Sequence, residues 1–450
     1  MADSMKNQKS EGSLTLSHPT FLEAFKFWVK LGFISFGGPT GQIAIMHTEL
    51  VEKKKWISDN RFLHALNYCM LLPGPEAQQL AIYVGWLLHR TWGGIVAGAF
   101  FVIPSMFILW ALSYVYVTFG TVPWVAAIFY GLKPAVLAIV AGAVIRIGKK
   151  AIKNEVMWAL AGLAFVAIFF FKIPFPIIIL AAALIGYLGG KVWKEKFLVI
   201  GGHGAKPGAQ HSTVISDEAE SPAHTKPSLI RAVKVCLVCG LLWWVPIFLL
   251  GTWLGRGHAL IREGLFFSQA AMVTFGGAYA VLPYVSQQAV ETHHWLNAGQ
   301  MLDGLGLAET TPGPLIMVLQ FVGFLGGWNQ PGGFSPLLAA TLGALVTTWV
   351  TFVPCFLWIF LGAPHIEQLR GNESLTTALS AVTAAVVGVV LNLAVWFGWH
   401  VLVPEGKGLD WFAVAVSTVA FAGIIKWKWD IIPVVLGAGL VGLVYRMLAG

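Results

Sequence analysis

The chain of 450 residues is 57% hydrophobic and only 11% charged, with a mean hydropathy of +0.74. A soluble domain carries about 25% charged residues, so these values exclude a soluble globular protein and describe a polytopic membrane protein, whose 20 Trp and 30 Phe suit a lipid-facing surface with aromatic belts. The net charge of +8 does not call for nucleic acid, because 22 of the 29 Lys and Arg fall at or before Lys234, mostly at the ends of apolar segments, where they report topology.

Residues 1–19 are polar and lack the apolar core of a cleavable signal peptide, so the first apolar segment is expected to direct insertion. Residues 21–46 then read as an apolar helix interrupted at Gly37-Gly38-Pro39, and residues 62–89 as a second one interrupted at Pro73-Gly74-Pro75. Between them lies a polar turn with Lys53, Lys54, Lys55, Asp59 and Arg61. The arms beside each break are roughly 11–16 residues long, whereas a full crossing takes about 20. Re-entrant hairpins fit these lengths, and kinked full crossings are the alternative.

Uninterrupted crossings are expected at 93–118, 122–148, 156–171 and 174–190. Residues 191–233, rich in Gly, Ser, Pro and charge, read as a flexible cytoplasmic linker. Its His203, His211 and His224 are expected to be solvated rather than metal-binding. An apolar helix at 234–255 has no partner in the first half. Broken segments return at 261–287 and 301–327, followed by crossings at 336–362, 375–399, 409–425 and 431–445. The four cysteines all lie in apolar segments, and Cys236-x-x-Cys239 lacks the second Cys/His pair that a metal site requires.

A constant offset of 239 residues relates the two halves. It pairs Ser35 with Thr274, Phe36-Gly37-Gly38 with Phe275-Gly276-Gly277, Glu52 with Glu291, Trp56 with Trp295, Pro73-Gly74-Pro75 with Pro312-Gly313-Pro314, and Gly93-Gly94 with Gly332-Gly333. Such a register without gaps over some sixty residues is an internal duplication. The expected organisation is a polar tail (1–19), a first repeat (20–190), the linker (191–233), an unpaired helix (234–256) and a second repeat (257–450). An offset of 246 later pairs Gly142 with Gly388 and Arg146 with Asn392.

One unpaired crossing between two repeats of even crossing number turns the second repeat upside down. Charge agrees with this: an N-terminus inside, with re-entrant hairpins, puts Lys53–Lys55, Lys149, Lys150, Lys153 and the basic linker in the cytoplasm. The equivalent turn of the second half has Glu291, His293 and His294 but no Lys or Arg. The fold class is therefore an all-α polytopic membrane protein of two homologous, inverted repeats with broken, re-entrant helices.

Gly and Pro are the poorest helix residues, and breaks in a membrane persist only where the freed backbone faces protein or a polar cavity. Paired broken helices are the sequence signature of a transporter binding site. A helix start offers unpaired N–H groups and about half a positive charge, and glycine lets a ligand approach the backbone. The candidate substrate-binding residues are therefore Gly37, Gly38, Pro39, Gln42, Pro73, Gly74, Pro75, Gln79, Phe275, Gly276, Gly277, Pro312, Gly313 and Pro314. Buried carboxylates and cations in apolar segments are functional candidates, which selects Glu76, Glu309, Lys133 and Arg146 for coupling or gating. Asp303 also flanks the second copy. No nucleotide loop, nucleophile elbow or His-Glu-x-x-His motif is present, so neither enzyme activity nor a cofactor is expected.

Phe36-Gly37-Gly38-Pro39 with Gln42-Ile43-Ala44, Leu72-Pro73-Gly74-Pro75 with Gln79-Leu80-Ala81, Phe275-Gly276-Gly277 and Thr311-Pro312-Gly313-Pro314 together resemble the chromate ion transporter family, over nearly the whole chain and with both repeats in order. The resemblance implies export of chromate across the bacterial plasma membrane, chromate resistance, and sulfate, another tetrahedral dianion, as competitor. A carrier of another small anion is the neighbouring reading. A cation or metal exporter is the other class, and would want a cluster of Cys, His or carboxylates within the crossings.

Overall fold

The computed structural model describes residues 17–198, 213–215, 225–365, 373–404 and 408–449. His203, His211, His224 and most of the tail and linker lie outside the described residues. Everything that crosses the bilayer is helical, since only helices and closed barrels satisfy their own backbone in lipid. Among the described residues, seven helices are long and apolar enough to span a membrane.

The first hairpin pairs α1 (Phe21–Ile34) with α2 (Gly38–His47), and a π-helical turn Thr48–Lys53 follows. Helix α3 (Asp59–Cys69) leads to α4 (Glu76–Phe119), which is bent at His89 and Arg90, where Arg90 takes φ 54°. That bend divides α4 into a short arm and a full crossing, at the place where the sequence separates a broken segment from a crossing.

Contacts decide between hairpins and kinked crossings. Lys54 lies over the Phe27 ring at 5.4 Å, and Lys30 and Glu49 approach to 3.9 Å, so α2 returns alongside α1. His89 Nε2 sits 3.0 Å from the Pro19 carbonyl, so the short arm of α4 ends beside the start of α1. The same construction recurs in α10 (Ala259–Val273), α11 (Ala278–Gln287), α12 (Ala298–Thr310) and α13 (Val318–Asn329). There Arg262, at the start of α10, donates to Gln330 Oε1 at 2.6 Å, and Gln330 Nε2 donates to the His293 carbonyl at 3.0 Å. All four broken segments therefore return to the face they left.

The crossings of the first repeat continue with α5 (Pro123–Ala151), α6 (Glu155–Phe169) and α7 (Phe175–Val192), and a single turn α8 (Lys194–Phe197) ends it. Helix α9 (Leu229–Leu254) is the unpaired crossing. The second repeat adds α14 (Pro336–Gly362), α15 (Glu373–Leu402), α16 (Trp411–Ile425) and α17 (Ile431–Ala449). At 15 residues each, α6 and α16 are shorter than the about 20 of an ordinary crossing.

Four crossings, then α9, leave the second pair of hairpins opening to the opposite face from the first. Ties between helix ends agree with this alternation. Lys194 after α7 meets Glu373 at the start of α15 at 2.6 Å, and Tyr130 near the start of α5 donates to Asp410 before α16 at 2.6 Å.

Helix α5 packs on α17 and α7 on α15, and both pairs close over small residues. Gly131 faces Gly442, and Gly186 lies against Ala381. Small residues are the usual means of close approach in lipid, where helix association gains little from hydrophobicity. Of the linker, 213–215 forms a bridge to the first hairpin turn: Ile215 N–H donates to the Trp56 carbonyl and Ser58 N–H to that of Ile215, both at 3.1 Å.

Single cysteines at Lys54 and His294, in a chain freed of its four native cysteines, are expected to react with an impermeant maleimide from opposite faces of sealed vesicles. Labelling of both from one face would contradict the inverted arrangement.

Candidate functional site

Each break begins with glycines in a conformation that other residues rarely adopt: φ is 85° and 66° at Gly37 and Gly38, 78° and 91° at Gly276 and Gly277, and 121° and 95° at Gly74 and Gly313. A side chain at such a φ costs about 1–2 kcal/mol. The helix ends before the first break are closed locally. Ser35 Oγ donates to the Leu31 carbonyl at 2.7 Å and Thr274 Oγ1 to that of Ala270 at 2.6 Å.

The main chain then ties the two repeats to each other. Gly74 N–H donates to the Thr274 carbonyl and Gly313 N–H to the Ser35 carbonyl, each at 2.8 Å. These bonds are related by the offset of 239 at both donor and acceptor. The second break of each repeat is therefore held by the first break of the other, and all four breaks meet at one place. Gln42 Nε2 adds a 2.5 Å bond to the Gly313 carbonyl, and Gln79 Nε2 donates to that of Pro73 at 2.8 Å.

A crossing from the opposite repeat backs each second break. A Cβ on Gly74 would stand 2.9 Å from Cys355 Sγ, and one on Gly313 would stand 2.6 Å from Ser105 Cβ. Ser105 and Cys355 each follow a proline within a helix, Pro104 and Pro354, at an offset of 250. That repeated Pro-Ser/Cys step is the signal that sequence reading missed.

Three α-helical starts reach the junction: α2 at Gly38, α4 at Glu76 and α11 at Ala278. The fourth differs, because Pro314 is followed by a 3-10 turn, Leu315–Met317, before α13 begins. First-turn N–H groups have no acceptor within their own helix. Around the first breaks there is room, with nothing within 4 Å of where a Cβ on Gly38 or Gly276 would stand. Phe275, beside Gly276, is half-buried, and Pro39 occupies the first turn of α2, where it removes no useful donor.

The charged candidates fall into two groups along α5. Glu309, at the end of α12, accepts from the Tyr279 hydroxyl in the first turn of α11, and the Arg146 guanidinium acts on both. Glu76 begins α4; its Oε1 lies 3.9 Å from the Cβ position of Gly277, and Lys150 is the cation that acts on it. Towards the other face, Lys133 lies 3.6 Å from Asp303, which also accepts from the Tyr116 hydroxyl at 2.9 Å. Lys133 and Arg146 are separated by about 20 Å of helix rise, so they bracket the junction instead of meeting in it. Tyr279 and Tyr116 carried no sequence signal, because a tyrosine in an apolar helix is ordinary.

Two interlocked repeats of re-entrant helices, joined backbone to backbone within a bundle of crossings, define a membrane transport protein. The model of the family described as chromate transporter matches residues 22–187 and 261–443, and the chain belongs to that family. It is similar to the chromate transport proteins of Cupriavidus metallidurans, 28% identical over 431 residues covering 94% of this chain and 93% of that one, and of Pseudomonas aeruginosa, 29% identical over 458 residues covering 98% and 97%. A probable chromate transport protein of Synechococcus elongatus is 28% identical over 87% of this chain and 88% of that one. No solved structure matches the chain.

Two glycine substitutions separate site from packing. Gly38→Ala meets open space and is expected to lose only about 1–2 kcal/mol, so the protein should accumulate while chromate uptake into vesicles falls at least about tenfold, a loss of about 1.4 kcal/mol. Gly94 is a packing glycine, and a Cβ there would stand 2.7 Å from Phe360. Gly94→Val should therefore lower the amount of folded protein, as read by fluorescence size-exclusion chromatography.

Proposed function

We propose that this protein exports chromate from the cytoplasm across the plasma membrane, conferring chromate resistance, and that the dianion is held where the four breaks meet. The reciprocal bonds from Gly74 to Thr274 and from Gly313 to Ser35 carry this reading, because they assemble the helix starts of both repeats into one cradle. A doubly charged oxyanion leaves water only where donors replace it. Backbone N–H groups at helix ends provide them, each end contributing about 0.3–1 kcal/mol and up to about 2 when partly buried. Gly37, Gly38, Pro39, Gln42, Pro73, Gly74, Pro75 and Gln79 supply the first repeat's share, and Phe275, Gly276, Gly277, Pro312, Gly313 and Pro314 the second's. Sulfate, with the same charge and shape, competes. No step of this transport requires a cofactor or enzymatic chemistry.

The N-terminus lies in the cytoplasm in this reading, because that orientation gathers the lysines of the first hairpin turn, of residues 149–153 and of 191–196 on one side. Arg146 and Lys150 then attract anions from the cytoplasmic face and Lys133 lies on the way out. An inside-negative potential favours outward movement by about 2.3 kcal/mol per charge per 100 mV, and so by about 4.6 for a dianion.

Glu76 and Glu309 act as gates. Ionised, each repels a dianion from the junction; neutralised by a proton, or in Glu309's case by Arg146, each admits it. Among the described residues no three His, Cys, Asp or Glu side chains converge, which favours an anion over a metal cation as cargo.

Inverted membrane vesicles carrying the protein are expected to accumulate labelled chromate, with excess sulfate reducing uptake and equimolar chloride leaving it intact. A chromate-sensitive bacterium expressing the protein should grow at higher chromate, and at unchanged zinc or cobalt. Vesicles that fail to take up chromate, or that lose uptake to chloride as readily as to sulfate, would overturn the reading.

A further inference from the structure

Glu263, in the second turn of α10, is fully buried, and neither of its carboxyl oxygens has a hydrogen-bond partner among the described residues. It is pressed between α13 and α14. The Cβ position of Gly326 abuts Oε1 and lies 3.1 Å from the Trp295 ring, and the Cβ position of Gly343 is 2.9 Å from Oε2. The Trp295 indole N–H and the Thr347 hydroxyl, which lies against Gly323, are buried and without partners too.

The other repeat provides an internal control. At an offset of 239, Glu263 corresponds to Ala24, Gly323 to Val84 and Gly326 to Leu87, and all three first-repeat residues are buried core. At these three positions the first repeat is thus packed with apolar side chains only. In the other, a carboxyl group stands in place of the Ala24 methyl, with glycine at 323 and 326. Packing alone does not require this acid.

A lone charge in such a place costs several kcal/mol, and a buried water can share a hydrogen bond but supplies no counter-charge. Arg262, next along α10, is turned to Gln330. His293 stacks on Trp295 at 4.4 Å, and Tyr284 of α11 meets Phe266 at 5.2 Å. Helix α9 meets α10 through Trp243 and Ile247. Helix α13 has no titratable residue, and the one in α14, Cys355, lies beside Gly74.

We propose that Glu263 is a proton-binding site of the transport cycle, neutral while α10, α13 and α14 are packed as here and ionised when the second hairpin pair shifts against α14. The proton passes between the carboxyl oxygen and water at the face where Arg262 and His293 lie. The Trp295 N–H and Thr347 O–H are the donors at hand for the carboxylate that forms. This rests on the transport function proposed above, and adds a proton-binding residue apart from the gates Glu76 and Glu309, reached from the face of Arg262.

The test uses the full chain in proteoliposomes, with chromate flux measured against pH on each face. Wild-type flux should fall as the face of Arg262 is made alkaline, by up to about tenfold per pH unit for a single proton site. In Glu263→Gln, which keeps the shape and removes the acid, flux should vary less than about twofold over the same range, a difference of about 0.4 kcal/mol. Glu291→Gln, on the exposed hairpin turn, should follow wild type. If Glu263→Gln does not accumulate, Glu263→Asp should retain the pH response with a displaced midpoint.

A wild-type flux insensitive to pH, or a Gln variant that keeps the wild-type response, overturns the proposal. If wild type moves no chromate, the transport reading fails and an infrared measurement decides this one separately. A protonated-carboxyl band that titrates in wild type and is lost in Glu263→Gln supports the proton site, and an unchanged band refutes it.

Discussion

A backbone that leaves its helix inside a membrane must find partners for the N–H and C=O groups it frees, and this constraint shapes the whole protein. An amide hydrogen bond is worth about 4–6 kcal/mol in an apolar medium, so an unpaired break is expensive. Here each repeat's second break donates to the other's first break, from Gly74 to Thr274 and from Gly313 to Ser35. Neither repeat satisfies its own breaks in this way, and so each depends on the other. The interlock also brings the starts of α2, α4 and α11 next to the bonded residues.

The duplication has kept the backbone and released the side chains. Glycine φ values, the Ser35 and Thr274 caps and the hairpin returns agree between halves. By contrast Gln42, Glu76 and Gln79 stand opposite Val281, Leu315 and Val318, and Glu309 stands opposite Met70. The cations follow the same division, since Lys133, Arg146 and Lys150 all belong to α5 and its counterpart α15 carries Asn392 opposite Arg146. A symmetric backbone with asymmetric charge suits a transporter whose two faces differ in potential and in ion content. The exchange around Glu263 belongs to this pattern.

Much of the fold was legible because it is written in periodic and compositional terms. Hydropathy marks the crossings, the offset of 239 marks the duplication, and one unpaired helix with the lysine bias marks the inversion. Gly-Gly-Pro and Pro-Gly-Pro mark the breaks, since those residues fit nowhere else in an apolar helix. The bend at His89 and Arg90 fell where the lengths required it, while 15-residue α6 and α16 show that composition reads a crossing's presence better than its length.

What the sequence determined by itself is the existence, type and order of the helices, the duplication and the positions of the breaks, because each depends on residues near one another in the chain. Only the tertiary structure decided which break bonds to which, since that depends on backbone atoms 200 and more residues apart whose side chains say nothing of it. It likewise decided that Glu309 accepts from Tyr279, that Lys133 lies beside Asp303, and that Glu263 has no hydrogen-bond partner among the described residues. Charge pairing inside a membrane is set by packing over a few ångströms, and no linear spacing encodes it.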